Sequence, residues 1–70
     1  MEYVIVDFPE SRTVVMDGKG NGKTNKTMDV EEGTHIFKLA DPKDYKPRQV
    51  TRVIKNTTMV KPEEVIFEKK

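Results

Sequence analysis

Apolar residues in this chain come in short alternating runs, each closed by glycine, proline or a cluster of polar residues. Successive residues of a strand face opposite sides of a sheet, so a period of two marks a half-buried strand. Tyr3 to Phe8 alternates in this way and stops at Pro9, and Arg12 to Met16 is a second such run, stopped by Asp17-Gly18. The segment Asp17-Gly18-Lys19-Gly20-Asn21-Gly22 reads as a glycine-rich loop, because Asp-Gly and Asn-Gly pairs adopt positive φ at little steric cost. Short strands follow at Lys26 to Val30 and, after the turn Glu31-Glu32-Gly33, at His35 to Ala40.

Asp41 to Pro47 holds two prolines, which remove ladder donors and bar it from the middle of a sheet. Gln49 to Lys55 is the fifth expected strand, Asn56-Thr57-Thr58 a polar turn, and Glu64 to Glu68 the last strand. Lys61-Pro62-Glu63-Glu64 would also serve as the first turn of a helix, but the β-prone run Val65-Ile66-Phe67 and the short remaining chain favour a strand. About six strands with turns roughly every 8 to 12 residues predict one all-β domain over residues 1–70, a small sandwich or barrel. Projecting each run at period two gives an expected core of Val4, Val6, Phe8, Val14, Met16, Met28, Val30, Phe37, Leu39, Val53 and Phe67.

Composition sharpens this picture. A chain of 70 residues buries only about 60% of its unfolded surface, so the core is thin. The hydrophobic share is 34% and the charged share 36%, against about 25% charged in an ordinary domain. Such a balance approaches that of disordered chains; the gathering of Val, Ile, Phe and Tyr between turns is what argues for a fold. Thirteen basic and twelve acidic side chains leave a net charge of +1, too small for the molecule as a whole to steer nucleic acid or an anionic membrane. The absence of cysteine excludes disulfides and cysteine-ligated zinc. No signal peptide is expected in Met1 to Asp7, and no apolar stretch approaches the ~18 residues of a membrane-spanning helix.

Pro9-Glu10-Ser11-Arg12, Val14-Val15-Met16-Asp17-Gly18, Gly22, Thr24, Gly33, His35 and Tyr45-Lys46-Pro47 follow one another in an order and spacing that resembles the PEGA domain family. The resemblance runs from Tyr3 to Phe67. Ser11-Arg12 stand where that family has Gly-Ala, Asn25 where it has proline, and Asp44 where it has glycine. The resemblance implies a compact antiparallel β-sandwich of Greek-key, transthyretin- or immunoglobulin-like form. It implies a noncatalytic accessory module of bacterial or archaeal envelope or surface proteins, which binds protein or surface carbohydrate. A structural spacer in a larger envelope or repeat protein is the alternative. An extracytoplasmic or cell-surface location would follow from the same resemblance.

No catalytic constellation can be assembled from one histidine, one serine and no cysteine. His35 is expected to open its strand and bond to the backbone of the preceding turn. Asp17-x-Lys19-x-Asn21-Gly22 imitates the start of a calcium loop, but a cation stands at its third position and Met28 at its twelfth, so no metal site is expected. Gly18-x-Gly20-x-Gly22 lacks the spacing and the helix of a phosphate or dinucleotide loop, so no cofactor is expected either. The candidate partner-binding residues are Lys19 and Lys23 in the glycine-rich segment, Tyr45, Arg48 and Arg52 around the proline corner, and Ile66 in the last strand. Asp41 and Asp44 are expected to offset the corner's cations. Single-stranded nucleic acid needs several aromatics in one groove, and this chain has two Tyr and three Phe in all, so nucleic acid is not an expected partner. Val65-Ile66-Phe67 places its strand either centrally or at an edge open to weak self-association. Direct membrane insertion is not expected.

Overall fold

The computed structural model describes all 70 residues. It is all-β, without helix, and 56% of residues lie in strands. The strands are β1 (Glu2–Asp7), β2 (Thr13–Met16), β3 (Lys19–Lys23), β4 (Thr27–Val30), β5 (Gly33–Leu39), β6 (Tyr45–Lys46), β7 (Val50–Ile54), β8 (Glu63–Ile66) and β9 (Glu68–Lys69). They form a three-stranded sheet in the order β4-β1-β8, a four-stranded sheet in the order β3-β2-β5-β7, and the pair β6-β9.

Three of the nine strands were not expected. Asp17 and Gly18 both have positive φ (53° and 84°), as a two-residue hairpin turn requires. That reversal lays Lys19–Lys23 against β2 as β3, where the expectation was a loop. Ladder hydrogen bonds need only backbone, so a segment without apolar side chains still pairs once a turn delivers it. The register of β3 on β2 shifts between Thr13 and Val15, and Gly22, at φ 95°, lies in the shifted stretch. A Cβ there would stand 2.7 Å from Met28 Sδ, so both conformation and space require glycine. The short β6 and β9 pair only with each other, Tyr45 opposite Lys69 and Lys46 opposite Glu68.

The expected all-antiparallel arrangement fails at one pair: β8 runs parallel to β1, with Val6 opposite Val65. Parallel neighbours need a long crossover, and here the whole four-stranded sheet lies between them in sequence. β8, the expected last strand, lies at the edge of its sheet. Arg52 on β7 reaches it, bonding Glu63 Oε2 at 2.8 Å and the Glu64 carbonyl at 3.2 Å.

One core of twelve side chains joins the sheets: Val4, Val6, Phe8, Val14, Met28, Val30, Phe37, Leu39, Tyr45, Ile54, Val65 and Phe67. Nine of these were expected from the alternation. Val53 was assigned to the wrong face and is 58% exposed, while its neighbour Ile54 is fully buried. The inward residue is set by pairing with β5, where Ile54 meets Gly33 and Val53 meets Thr34. Met16 is half-buried and packs against the core's margin.

The β1–β2 connection is held by side chains in place of a sheet. Thr24, 2% exposed, accepts the Arg12 N–H at 2.9 Å and donates its hydroxyl to the Glu10 carbonyl at 2.8 Å. Asn25, at φ 65°, donates from Nδ2 to the Phe8 carbonyl and accepts the Phe8 N–H. The Arg12 side chain, 11% exposed, donates to the carbonyls of Ala40 and Pro42 and to the carboxylates of Asp44 and Glu10. Lys69 bridges the same two carboxylates at 2.9 and 3.0 Å. The Arg12 guanidinium also lies 5.3 Å from the Phe8 ring centroid, a favourable placement of cation over ring. Glu10, Arg12, Asp44 and Lys69 thus tie the first loop, the proline corner and the last strand together.

Candidate anion-binding cleft

The proline corner builds a cleft at the Leu39 end of β5. Tyr45 anchors it. Its hydroxyl donates to the Leu39 carbonyl at 2.9 Å and accepts the Leu39 N–H at 3.2 Å. Its ring meets Phe8 and Phe67 edge to face, at 6.3 and 5.4 Å between centroids. With Tyr45 turned inward, alternation turns Lys46 outward, and Pro47 then leads into Arg48 and Gln49 ahead of β7. Lys38 faces outward from β5 between the buried Phe37 and Leu39. The Lys70 N–H donates to the Asp44 carbonyl at 2.8 Å, which brings the end of the chain to the same place.

Lys38, Lys43, Lys46, Arg48, Gln49 and Lys70 surround a cleft of about 230 Å³, with Tyr45 at its wall. No carboxylate side chain lines it. The ion pairs of the molecule use Arg12, His35, Arg52 and Lys69, so the five cleft cations are unpaired. Asp44 was expected to offset them, yet its carboxylate points away to Arg12 and Lys69. Those two cations hold its carboxyl down to about 2, so it stays ionised within its own network. Asp41 borders an adjoining depression that shares Lys38 and Lys43. Like charges gathered at one concave place raise the local concentration of counter-ions.

Among the expected binding residues, the structure brings only Tyr45 and Arg48 to this cleft. Tyr45 is 6% exposed and cannot stack on a ligand, which corrects the role expected for it. A tyrosine at a polar corner reads from sequence as a surface platform; its burial depends on Phe8 and Phe67 arriving from distant strands. Arg52 is spent on the β8 edge. Lys23 bonds Thr13 Oγ1 at 3.0 Å, and Lys19 lies in a separate shallow depression with Met16, Asp17, Gly20 and Asn21. Ile66 is exposed on β8, away from the cleft. Lys38, Gln49 and Lys70 escaped sequence reasoning. Lys38 carried one usable signal, an outward cation between two core residues at the end of a strand.

His35 is not part of the cleft. Its Nδ1 lies 2.6 Å from Asp17 Oδ2 and its Nε2 2.6 Å from the Glu31 carbonyl. Both partners are acceptors, so the ring satisfies both only as the doubly protonated cation. Asp17 and the Glu31 carbonyl accordingly raise its pKa, and the imidazolium together with the Ile36 N–H lowers that of Asp17. The backbone contact was expected and the carboxylate was not.

These shifts predict stability falling at both ends of the pH scale. The carboxyls of Asp44, Glu10, Asp17 and Glu2 lie below their ordinary values. Their contribution is complete above about pH 4, the unfolded range, and is lost as pH falls toward 2. Glu64 runs the other way: the adjacent Asp7 raises its pKa, so protonating it relieves repulsion. His35 contributes fully below about pH 6.5, its unfolded value, and its contribution is lost as pH rises through the raised folded value. Midpoints of thermal unfolding measured from pH 2 to 9 should fall at both ends, and His35→Gln should flatten the basic side while also reducing the part of the acid-side fall that Asp17 contributes. A wild-type midpoint constant from pH 6 to 9 would contradict the histidine assignment.

Comparison of the chain with protein-family models, with curated proteins and with solved structures returns no match.

Proposed function

We propose that this chain is a noncatalytic PEGA-like accessory module that binds its partner, a protein or a surface glycan, at the cleft between Lys38, Lys46 and Lys70. The observation that carries the reading is five unpaired cations around one concave place with no carboxylate side chain among them. The PEGA-like residues also occupy the positions where backbone conformation is most demanding. Asp17, Gly18, Gly22 and Gly33 all have positive φ, and Thr24 pins the Pro9-to-Arg12 loop. The two larger sheets contribute to one core, which favours a two-layered, Greek-key sandwich with a single parallel pair.

A spacer role is the second reading, favoured by the placement of the chain's ends. Glu2 is bonded to Thr57, beyond the far end of β7, while Lys70 is bonded to Asp44 at the cleft.

Amide chemical-shift mapping separates the two. Titration at low salt with acidic peptides and with acidic and neutral oligosaccharides should move the amides of Lys38, Lys43 to Gln49 and Lys69 to Lys70. Added salt should reverse the shifts, because exposed charges are screened within about 8 Å at physiological ionic strength. A spectrum indifferent to the whole panel leaves only the spacer.

A further inference from the structure

Resting on the cleft as the binding site, we propose that its ligand is an acidic glycan whose carboxylate or sulfate groups pair with Lys38, Lys43, Lys46, Arg48 and Lys70. Three features of the cleft narrow the chemistry.

The first is the ratio of cationic to apolar residues in the lining. Tyr45 is the one apolar lining residue, and it is buried with its hydroxyl committed to Leu39. A peptide gains most of its binding energy from a few apolar or aromatic anchors seated in pockets, and this cleft offers none. What it offers is hydrogen-bond donors. Four lysines supply point charges, Arg48 supplies a fork, and the Gln49 amide can both give to and accept from a hydroxyl. A polyhydroxylated anion matches that set.

The second is the placement of aromatic rings across the whole molecule. Phe8, Phe37, Tyr45 and Phe67 are buried in the core, and Tyr3 is half-buried in β1. Single-stranded nucleic acid is held by bases stacked on exposed rings, and neutral sugars likewise favour an aromatic face. With no ring exposed at the cleft and none of the exposed aliphatic side chains lining it, recognition there rests on charge.

The third is size. At about 230 Å³ the cleft falls below the roughly 300–1,000 Å³ of sites for drug-sized ligands. It takes one charged sugar unit, with neighbouring units lying along the lysines at the rim. The open depression shared through Lys38 and Lys43 continues the groove, and Asp41 on its border limits how far an acidic chain runs into it.

The test is calorimetric titration of the intact chain with five probes: tetragalacturonate, its methyl-esterified neutral counterpart, a sulfated tetrasaccharide, hexaglutamate and oligothymidylate. At least one of the two acidic oligosaccharides should bind, and the esterified sugar should not. Hexaglutamate and oligothymidylate should bind at least about tenfold more weakly, a difference of about 1.4 kcal/mol. Lys38→Gln and Lys46→Gln should each weaken glycan binding about two- to fivefold, the range of an exposed charge pair. Lys19→Gln, outside the cleft, should leave it unchanged. Equal or tighter binding of hexaglutamate or oligothymidylate overturns the glycan assignment while leaving the cleft as a binding site. Binding of the esterified sugar overturns the role of charge. Silence from all five probes removes the cleft and the glycan together.

Discussion

Phe37→Ala should leave the chain largely unfolded at room temperature. Phe37 is fully buried in β5, whose backbone pairs with β2 on one side and β7 on the other. Truncating a buried phenylalanine costs about 3–5 kcal/mol, the lost transfer energy plus the cavity left behind. A domain of this size has only about 3.5–10 kcal/mol in total, at ~0.05–0.15 kcal/mol per residue. Near the lower end of that range, where so thin a core places the chain, the loss takes most or all of the margin. Urea unfolding followed by circular dichroism should show no folded baseline, or a midpoint near zero denaturant. Val53→Ala, on the outer face, should change stability by no more than about 0.5 kcal/mol, as surface substitutions do. A Phe37→Ala protein that unfolds within about 1 kcal/mol of the parent would mean that β5 does not carry the centre of the core.

Thr24→Val should cost about 1–3 kcal/mol while changing almost no volume. The substitution keeps the shape of the side chain and removes its only polar atom. The Arg12 N–H and the Glu10 carbonyl would each lose their partner, and a stranded buried polar group costs about 1–3 kcal/mol. Glu10 is exposed and its carbonyl can turn to water, so a loss of about 1–3 kcal/mol is expected from a change that alters no apolar contact. Thr24→Ser, which keeps the hydroxyl, should recover most of it. The comparison is informative because the loop held by Thr24 also carries Glu10 and Arg12. If the Thr24→Val protein were as stable as the parent, the loop would have to be held by the Glu10–Arg12–Asp44–Lys69 ion network and the Asn25–Phe8 bonds.

Alternation, turn residues and proline placement made six of the strands legible, and they identified nine of the twelve core residues. Period-two reasoning works because a strand cannot turn one residue inward without turning the next one out. It fails where a strand has apolar residues on both parities. In Val50-Thr51-Arg52-Val53-Ile54, both Val53 and Ile54 are plausible core residues, and only the pairing with β5 selects Ile54. It fails too for β3 and β9, whose Lys, Gly, Asn and Glu residues carry no hydrophobic signal, and for the two-residue β6, where Tyr45 alone shows no alternation. Backbone pairing brought to those segments by Asp17-Gly18 and by the proline corner makes them strands.

The cleft was legible in part. The run of cations around Pro47 was visible in the chain, but its meaning turned on whether Asp41 and Asp44 neutralised it. Asp44 is drawn off by Arg12, which stands 32 residues away in sequence, so no local reading could decide the charge of the corner. Lys38 and Lys70 join for the same reason: β5 ends and β9 finishes beside the corner.

By itself, the amino-acid sequence determined an all-β chain with turns at Asp17-Gly18 and Glu31 to Gly33, a thin core of Val and Phe, and a cation-rich proline corner. Those properties are local, since they follow from steric preference and from which side chains water rejects. The tertiary structure alone decided that β8 lies parallel to β1, that Tyr45 faces inward, and that five cations share a cleft lined by no carboxylate side chain. Each depends on contacts between residues far apart in the chain, and those are set by the closure of the whole core.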